Sequence, residues 1–259
     1  EVSTKGSTFT IRRFRDEPFT PVDLLEFKTF SSMQIAFFWL AMQYGMSMLF
    51  VGGTASGKTT SLNACSLFLP WQHKIVSIEE TRELNLPHPN WIPGCTRQGF
   101  GGEGSAHGGK AAGEVDMYDL LRAALRERPE YIIVGEIRGA EAYVLFQAMA
   151  TGHTTYSTFH ADSIQSLVHR LENKPIEIPR VLIPALDGIS IQIQTRVGGK
   201  RVRRNKGIIE IIGIDPHSHE LLTNEAFRWD NTVDEYVFTG KSYIFEKIMM
   251  KANLNRVEI

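Results

Sequence analysis

Residues 52–59 read GGTASGKT and match the pattern G-x-x-x-x-G-K-[ST] in full. The apolar run MLFV precedes this motif, and TSLNAC follows it as the expected helix. In a strand, loop and helix of this kind, glycines let backbone N–H groups converge on a polyphosphate at a helix N-terminus, where anions are stabilised. The stretch therefore predicts an α/β fold organised around a phosphate-binding loop.

Two side chains of this loop have expected roles of their own. Lys58 is placed to reach the β- and γ-phosphates of a nucleoside triphosphate, and the Thr59 hydroxyl to hold Mg²⁺. The alternative, a purely structural glycine-rich turn, does not account for a lysine and a threonine at these positions. The predicted nucleotide-binding residues are Gly53, Thr54, Ala55, Ser56, Gly57, Lys58, Thr59 and Thr60.

The composition is that of a globular protein. The chain has 259 residues, of which 42% are hydrophobic, and 28 basic residues nearly balance 29 acidic ones. This balance gives no global signal for nucleic acid or an anionic membrane as partner. The two cysteines, Cys65 and Cys95, are too few for a disulfide framework, which favours a reducing, cytoplasmic compartment.

Residues 33–51 form an apolar run that is long enough to suggest a membrane span. Polar residues interrupt the run, and it leads directly into the phosphate loop. We therefore expect a buried helix over residues 32–43, a turn at Tyr44 and Gly45, and then a central strand. The chain starts at Glu1 without a methionine, so we expect a fragment of a longer protein.

The N-terminal residues 7–15 alternate apolar and polar side chains, as a half-buried strand does. From this stretch alone, Arg12 and Arg13 are interpreted as a solvated edge rather than as phosphate ligands. Residues 17–21 then predict a linker, with Pro21 opening a short helix.

Two further apolar strands end in carboxylates. The stretch KIVSI at 74–78 is followed by EETRE at 79–83, and YIIVG at 131–135 is followed by Glu136. Open α/β sheets bind ligands at the carboxyl ends of their strands, and a strand with an acid at its tip is the Walker B arrangement of nucleotide hydrolysis. For Glu79, a place in a charged surface loop is the favoured interpretation.

Three other stretches have weaker signals. The glycine-rich residues 96–116 predict a mobile loop, and His153 and His160 stand at the two ends of an alternating strand. Their odd spacing points them to opposite faces, which disfavours a shared metal site. Residues 189–212 predict a β-hairpin with a basic cluster but no aromatic residue, which favours a solvated hairpin or a protein contact over nucleic acid.

Four motifs occur in series along the chain: the phosphate loop, IEETREL at 78–84, LRERPEYIIVGEIR at 125–138 and TGHTTYSTFH at 151–160. In this series the chain resembles the secretion ATPases that drive type II secretion, type IV secretion, and the assembly of type IV pili and archaella. The stretch GSTFTIRRF at 6–14 is most similar to the archaeal branch of that superfamily. The sequence lacks the four-cysteine module of the bacterial export branch, which argues against a bacterial type II export protein.

The resemblance implies a RecA-like core with a mostly parallel central sheet, followed by a C-terminal extension of β-hairpin and helix. Residues 1–15 would be the last strand of a truncated N-terminal domain, residues 16–30 a linker with a short helix, and residues 31–259 the ATPase domain. The implied cofactors are ATP and Mg²⁺, and the implied assembly is a homo-hexamer with ATP between domains or protomers.

The resemblance also implies roles for individual residues. Glu80 stands where the family's acidic box has an aspartate, and this departure leaves the assignment of the base open. Glu83 is the distal carboxylate of the box, and Glu136 is the Walker B acid, acting on the Mg²⁺ shell or on the attacking water. The remaining implied site residues are the nucleotide-sensing histidines His153 and His160 and the candidate arginine fingers Arg12, Arg13 and Arg97.

The function that the resemblance implies is a motor that hydrolyses ATP and pushes a polytopic membrane platform protein during filament assembly or secretion. We expect it to be cytoplasmic, peripheral at the membrane, and without a nucleic-acid partner. Two alternatives stay open: a RecA-like nucleic-acid translocase, suggested by the basic hairpin, and a regulatory scaffold that binds ATP without turnover.

Overall fold

A computed structural model describes residues 6, 7, 9, 17–99 and 111–254. Most of the predicted N-terminal strand, with Arg12 and Arg13, lies outside these ranges, as does the centre of the glycine-rich stretch. The predicted division of the chain at residues 15 and 30 therefore stays a prediction.

Within the described ranges, nine strands form one sheet in the order β3-β2-β4-β5-β1-β6-β7-β8-β9. The strands are β1 (Met48–Gly52), β2 (Ile75–Glu79), β3 (Trp91–Cys95), β4 (Tyr131–Glu136), β5 (Thr154–Phe159), β6 (Gly188–Val197), β7 (Lys200–Ile214), β8 (Leu221–Asp230) and β9 (Glu235–Phe238). The α-helices are α1 (Pro21–Glu26), α2 (Ser32–Gln43), α3 (Lys58–Cys65), α4 (Met117–Arg126), α5 (Glu141–Ala150), α6 (Ile164–Glu172) and α7 (Tyr243–Ala252).

The sheet has a parallel part and an antiparallel part. Every pairing from β3 to β6 is parallel, whereas β6, β7, β8 and β9 pair antiparallel. The mostly parallel central sheet and the C-terminal hairpin that the sequence predicts are thus confirmed. Strand β5 lies between β1 and β4. Because parallel strands point the same way, the carboxyl ends of β1, β5, β4 and β2 lie side by side at one edge of the sheet.

The phosphate-loop strand β1 is buried along its whole length. Its side chains alternate between two apolar cores, with Leu49 and Val51 in one and Met48 and Phe50 in the other. Helices α4 and α5 contribute to the first core, and α2, α3 and α7 to the second. This central position, covered on both faces, is the one expected for a parallel strand of continuous apolar sequence.

Helix α2 has the bounds that the sequence predicts, residues 32–43. Ser31 caps its N-terminus by accepting a hydrogen bond from the Gln34 backbone, and the Gln34 side chain accepts one in return. After the helix, Gly45 turns the chain with φ +67, and a Cβ there would come within 2.8 Å of Thr154 Oγ1. In the described part of the chain, no helix combines the length and apolarity that crossing a membrane requires.

The C-terminal strands hold the linker that precedes α2. Arg204 on β7 donates two hydrogen bonds to the Asp234 carboxylate, at 2.7 and 2.8 Å, and a third to the Phe27 carbonyl at 3.0 Å. Tyr236 donates its hydroxyl proton to the carbonyls of Lys28 and Thr29. Residues 27–29 are therefore fixed on the antiparallel part of the sheet, beside the end of β1.

Candidate nucleotide-binding site

A cleft of 770 Å³ opens at the carboxyl edge of the parallel strands, above the loop that follows β1. Its floor is the phosphate loop and the first turn of α3, and neighbouring strands and the linker form its walls. The lining residues are Thr54, Ala55, Ser56, Gly57, Lys58, Thr59, Thr60 and Ser61 of the loop, Glu83, Glu136, Thr158 and His160 at the strand ends, Phe19, Leu24, Phe27 and Thr29 of the linker, and Arg201, Val202 and Arg203 of β7.

The loop conformation depends on its glycines. A Cβ on Gly52 would lie 2.3 Å from the Gln192 carbonyl oxygen and 2.5 Å from Ser56 Oγ, so no other residue fits where the loop leaves β1. Gly57 has φ +95 and begins α3 in the left-handed region that glycine favours. The loop therefore closes tightly on itself, which leaves its backbone facing the cleft.

Lys58 is held within the loop. Its Nζ donates to the Gly53 carbonyl at 3.0 Å. Gly53 does not itself line the cleft, so it contributes to the site by holding Lys58. Burial lowers the pKa of Lys58, and the carboxylates of Glu136 and Glu83 oppose this shift. A partly desolvated ammonium group next to two acids, at a helix N-terminus, is suited to bind the terminal phosphates of a nucleotide.

The acidic loop after β2 is anchored by Glu79, which is only 2% exposed. Its Oε1 accepts backbone hydrogen bonds from Glu83 at 2.9 Å and from Leu84 at 3.0 Å. Burial raises the pKa of Glu79, and these two hydrogen bonds oppose the shift. The sequence-based interpretation of Glu79 as a surface residue is therefore wrong: its side chain is buried and fixes the position of Glu83.

Glu80 has a different place from Glu83. Its carboxylate forms an ion pair with Arg138 and lines a smaller cavity of 140 Å³, next to the nucleotide cleft. Thr59, Glu83 and Glu136 line both cavities, whereas Glu80 lines only the smaller one. Of the acidic-box residues, Glu83 is the one that faces the cleft.

The two histidines of the predicted pair lie at opposite ends of β5. His160 follows the strand and lines the cleft, together with Thr158, whose hydroxyl donates to the Gly135 carbonyl at 2.7 Å. His153 precedes the strand and lines another cavity at the other edge of the sheet. A six-residue strand separates the two, which at about 3.3 Å per residue is roughly 20 Å. This corrects the prediction for His153, which does not lie at the cleft.

Of the predicted arginine fingers, Arg97 is described, and it does not line the cleft. Arg97 follows β3, the edge strand, and its Nε donates to the Gly113 carbonyl at 2.8 Å. Arg12 and Arg13 lie outside the described residues.

The cleft has arginines from its own chain, on β7. Arg203 donates from Nε to the Ala55 carbonyl of the phosphate loop at 2.9 Å, and Arg201 lines the same wall.

Sequence reasoning missed these arginines and the linker residues of the cleft. A partial signal exists, because Arg201 and Arg203 are two residues apart and share one face of a strand. Phe19 and Phe27, in edge-to-face contact at 5.2 Å, add apolar aromatic side chains to the lining of the cleft. A cleft lined by both cationic and aromatic side chains has partners for both halves of a nucleotide.

The oxygen donors in the cleft suit Mg²⁺. Thr59, Glu83 and Glu136 supply hydroxyl and carboxylate oxygens, the ligands of a hard divalent cation. Among the residues that the structure describes, no group of three or more His, Cys, Asp or Glu side chains is arranged to hold a metal ion. The three oxygen donors at the cleft fit a magnesium ion that also binds nucleotide phosphates.

Comparisons with known proteins identify the family of the chain. Residues 2–257 match the family described as type II/IV secretion system protein. A protein of Methanocaldococcus jannaschii is 44% identical over 239 residues, which are 92% of this chain and 86% of that protein. The shared region thus includes nearly the whole chain.

Solved structures show the same fold. The VirB11 ATPase from the Brucella suis type IV secretion system, solved in complex with sulphate, matches with a TM-score of 0.55 and 26% identity over 74% of this chain. The pilus retraction motor PilT, solved with bound ADP, matches with a TM-score of 0.51 and 23% identity over 79% of this chain. The chain spans 56% of the length of each. The chain therefore belongs to the type II/IV secretion system protein family, and its α/β core is the RecA-like core of the secretion ATPases.

Proposed function

We propose that this chain is the ATP-hydrolysing motor domain of a machine that assembles a type IV pilus-like or archaellum filament, or secretes protein, at the cytoplasmic membrane. One observation supports the proposal above all: Lys58, Thr59, Glu83 and Glu136, which come from three separate stretches of sequence, line one cleft. A phosphate ligand, a metal-binding hydroxyl and two candidate bases are the parts that phosphoryl transfer to water requires.

In this proposal the protein groups mainly position and stabilise the phosphates. The loop backbone and Lys58 bind the β- and γ-phosphates, and Glu136 or Glu83 orients the attacking water and accepts its proton. Magnesium, held by Thr59 and through water by Glu136, would neutralise charge that develops on the phosphate oxygens. Phe19 and Phe27 would contact the base, because they are aromatic side chains among the described residues that line the cleft.

The proposed assembly is a homo-hexamer in which neighbours complete the site. Arg203 and Arg201 give each cleft a cationic wall of its own, and Arg12, Arg13 or Arg97 of an adjacent domain or protomer would act as the finger. The resemblance to the secretion ATPases supports this ring. The proposed load is a polytopic membrane platform protein, with the motor bound peripherally at the cytoplasmic face.

The translocase alternative loses part of its support. It was suggested by the basic hairpin, but Arg203 is bonded to the phosphate loop and Arg204 to Asp234 and the linker. These arginines have intramolecular roles that need no nucleic acid.

The proposal can be tested with the purified protein by measuring the ATPase rate per protomer across a range of protein concentrations, beside the oligomer mass. A rate that rises as hexamers form, and rises again with the platform protein, supports it. Stimulation by single-stranded DNA or RNA alone would favour the translocase, and ATP binding without turnover in the hexamer would favour the regulatory scaffold.

A further inference from the structure

A second cavity, of 420 Å³, adjoins the nucleotide cleft. Glu136 and His160 line both spaces, so these two side chains form the boundary between them. Beyond the boundary, the cavity continues between the ends of β4 and β5 and the C-terminal end of α6. Its other lining residues are Ile137, Arg138, Phe159, His169, Arg170, Asn173, Lys174, Pro175 and Ile176.

The cavity is strongly basic. Arg138, Arg170 and Lys174 carry positive charge, His160 and His169 add two imidazoles, and Glu136 is the only acid among the described residues that line it. Glu80 neutralises Arg138 by an ion pair. In the part of the chain that the structure describes, Arg170 and Lys174 have no carboxylate partner within ion-pair distance. Two uncompensated cations therefore remain.

Arg170 is held in place rather than free in solvent. Its guanidinium donates to the carbonyl of His160 and lies 5.5 Å from the centroid of the Phe159 ring. The residue thus ties α6 to the end of β5, directly beside the nucleotide cleft. Basic residues in the last turn of a helix stabilise its C-terminus, which accounts for part of this charge. This stabilisation of the helix end does not account for the positive charge of Lys174, because Lys174 lies beyond the end of α6.

We propose that this cavity binds the inorganic phosphate that leaves the cleft after hydrolysis. The inference rests on the proposed ATPase function. In that reaction the water oxygen bonds to the γ-phosphorus, the bond from that phosphorus to the β,γ-bridging oxygen breaks, and the proton of the water passes through the base to solvent. ADP stays on the phosphate loop, while the phosphate dianion moves away from Glu136 and toward Arg170 and Lys174.

The direct test is equilibrium binding of inorganic phosphate, measured by calorimetry, to full-length protein loaded with Mg²⁺ and ADP. The variants are Lys174→Gln and Arg170→Gln, and the matched control is Lys206→Gln, an exposed lysine on β7 that lines none of these cavities. We expect each cavity variant to raise the Kd for phosphate by about fivefold, the effect of one exposed ionic contact. The Kd for ADP should not change.

The proposal is wrong if Lys174→Gln and Arg170→Gln bind phosphate with the same affinity as the parent and Lys206→Gln, or if the parent binds no phosphate, because the cavity then contributes no binding. The binding measurement needs no turnover, so it stands apart from the ATPase function itself. If the parent hydrolyses ATP, a second readout is available. Added phosphate should inhibit Lys174→Gln less than the parent at an equal KM for ATP, and equal inhibition would contradict the proposal.

Discussion

Arg203 on β7 donates a hydrogen bond of 2.9 Å to the carbonyl of Ala55, a residue 148 positions away in the sequence. Ala55 has φ +60, an uncommon conformation for a residue with a Cβ, and the Arg203 side chain also covers Gly57. The C-terminal hairpin thus supports the phosphate loop from outside. This contact connects the antiparallel extension with the centre of the proposed chemistry.

The first prediction concerns this contact. Arg203→Gln removes a charged donor from the loop and a cation from the wall of the cleft. We expect the Kd for ATP to rise about tenfold, in the range for a hydrogen bond between a charged and a neutral group. The control is Arg196→Gln, an exposed arginine of the same hairpin that does not line the cleft. Equal affinities of the two variants would show that Arg203 does not contribute to nucleotide binding.

The second prediction concerns the contact between the linker and the sheet. Asp234→Ala leaves Arg204, whose side chain is 5% exposed, without its ion-pair partner. We expect the free energy of unfolding to fall by about 3 kcal/mol, the cost of leaving one charge of a buried pair alone. Asp230→Ala, which removes a half-buried carboxylate bonded to Thr232 at the start of the same turn, is the control and should change stability less. Urea denaturation measures both.

The third prediction separates the two candidate bases. Glu136→Gln should leave ATP bound but reduce kcat by ~10²-fold or more, the range for losing a general base or a water-ordering group. Glu83→Gln is the matched comparison, because it makes the same chemical change at the other candidate base that lines the cleft. If Glu83→Gln reduces kcat more, the acidic box holds the base.

The fourth prediction is a pH dependence of stability at Glu79. Burial raises the pKa of this carboxyl above its ordinary value of 4.5, so the folded state binds its proton more tightly than the unfolded state. The stability that the protonated Glu79 carboxyl contributes is therefore fully present below pH 4.5, and it is lost as the pH rises through the raised pKa. Gln cannot ionise but keeps an oxygen for the Glu83 and Leu84 backbone donors. Above pH 4.5, Glu79→Gln should gain stability relative to the parent as the pH rises, and a difference independent of pH would contradict this.

The parts of the site that sequence predicted are those defined by local pattern. The phosphate loop, helix α2 and the strand that ends at Glu136 depend on short-range features: glycine spacing, a capping box and a continuous apolar run. Each is formed by neighbours in sequence, so the motif and the element have nearly the same bounds. The hairpin of β6 and β7 was predictable for the same reason, from its alternation and its Gly198–Gly199 turn.

The remainder depends on tertiary contacts that local pattern does not contain. The order of the strands places β5 between β1 and β4, and this position brings His160, at the carboxyl end of β5, to the cleft. Glu79 is an acid in an acidic stretch, and only its packing beneath the loop makes it buried. Arg203 reaches Ala55 only because β7 folds back beside β6.

The central claim is that this chain hydrolyses ATP at the loop of residues 52–59. Its most direct test is the steady-state release of phosphate from Mg²⁺-ATP by the purified protein and by Lys58→Ala, with nucleotide binding measured on the same samples. We predict hydrolysis by the parent, and loss of binding or of turnover in the variant, because Lys58 is the cation held within the loop. Hydrolysis at an unchanged rate in Lys58→Ala would contradict the account.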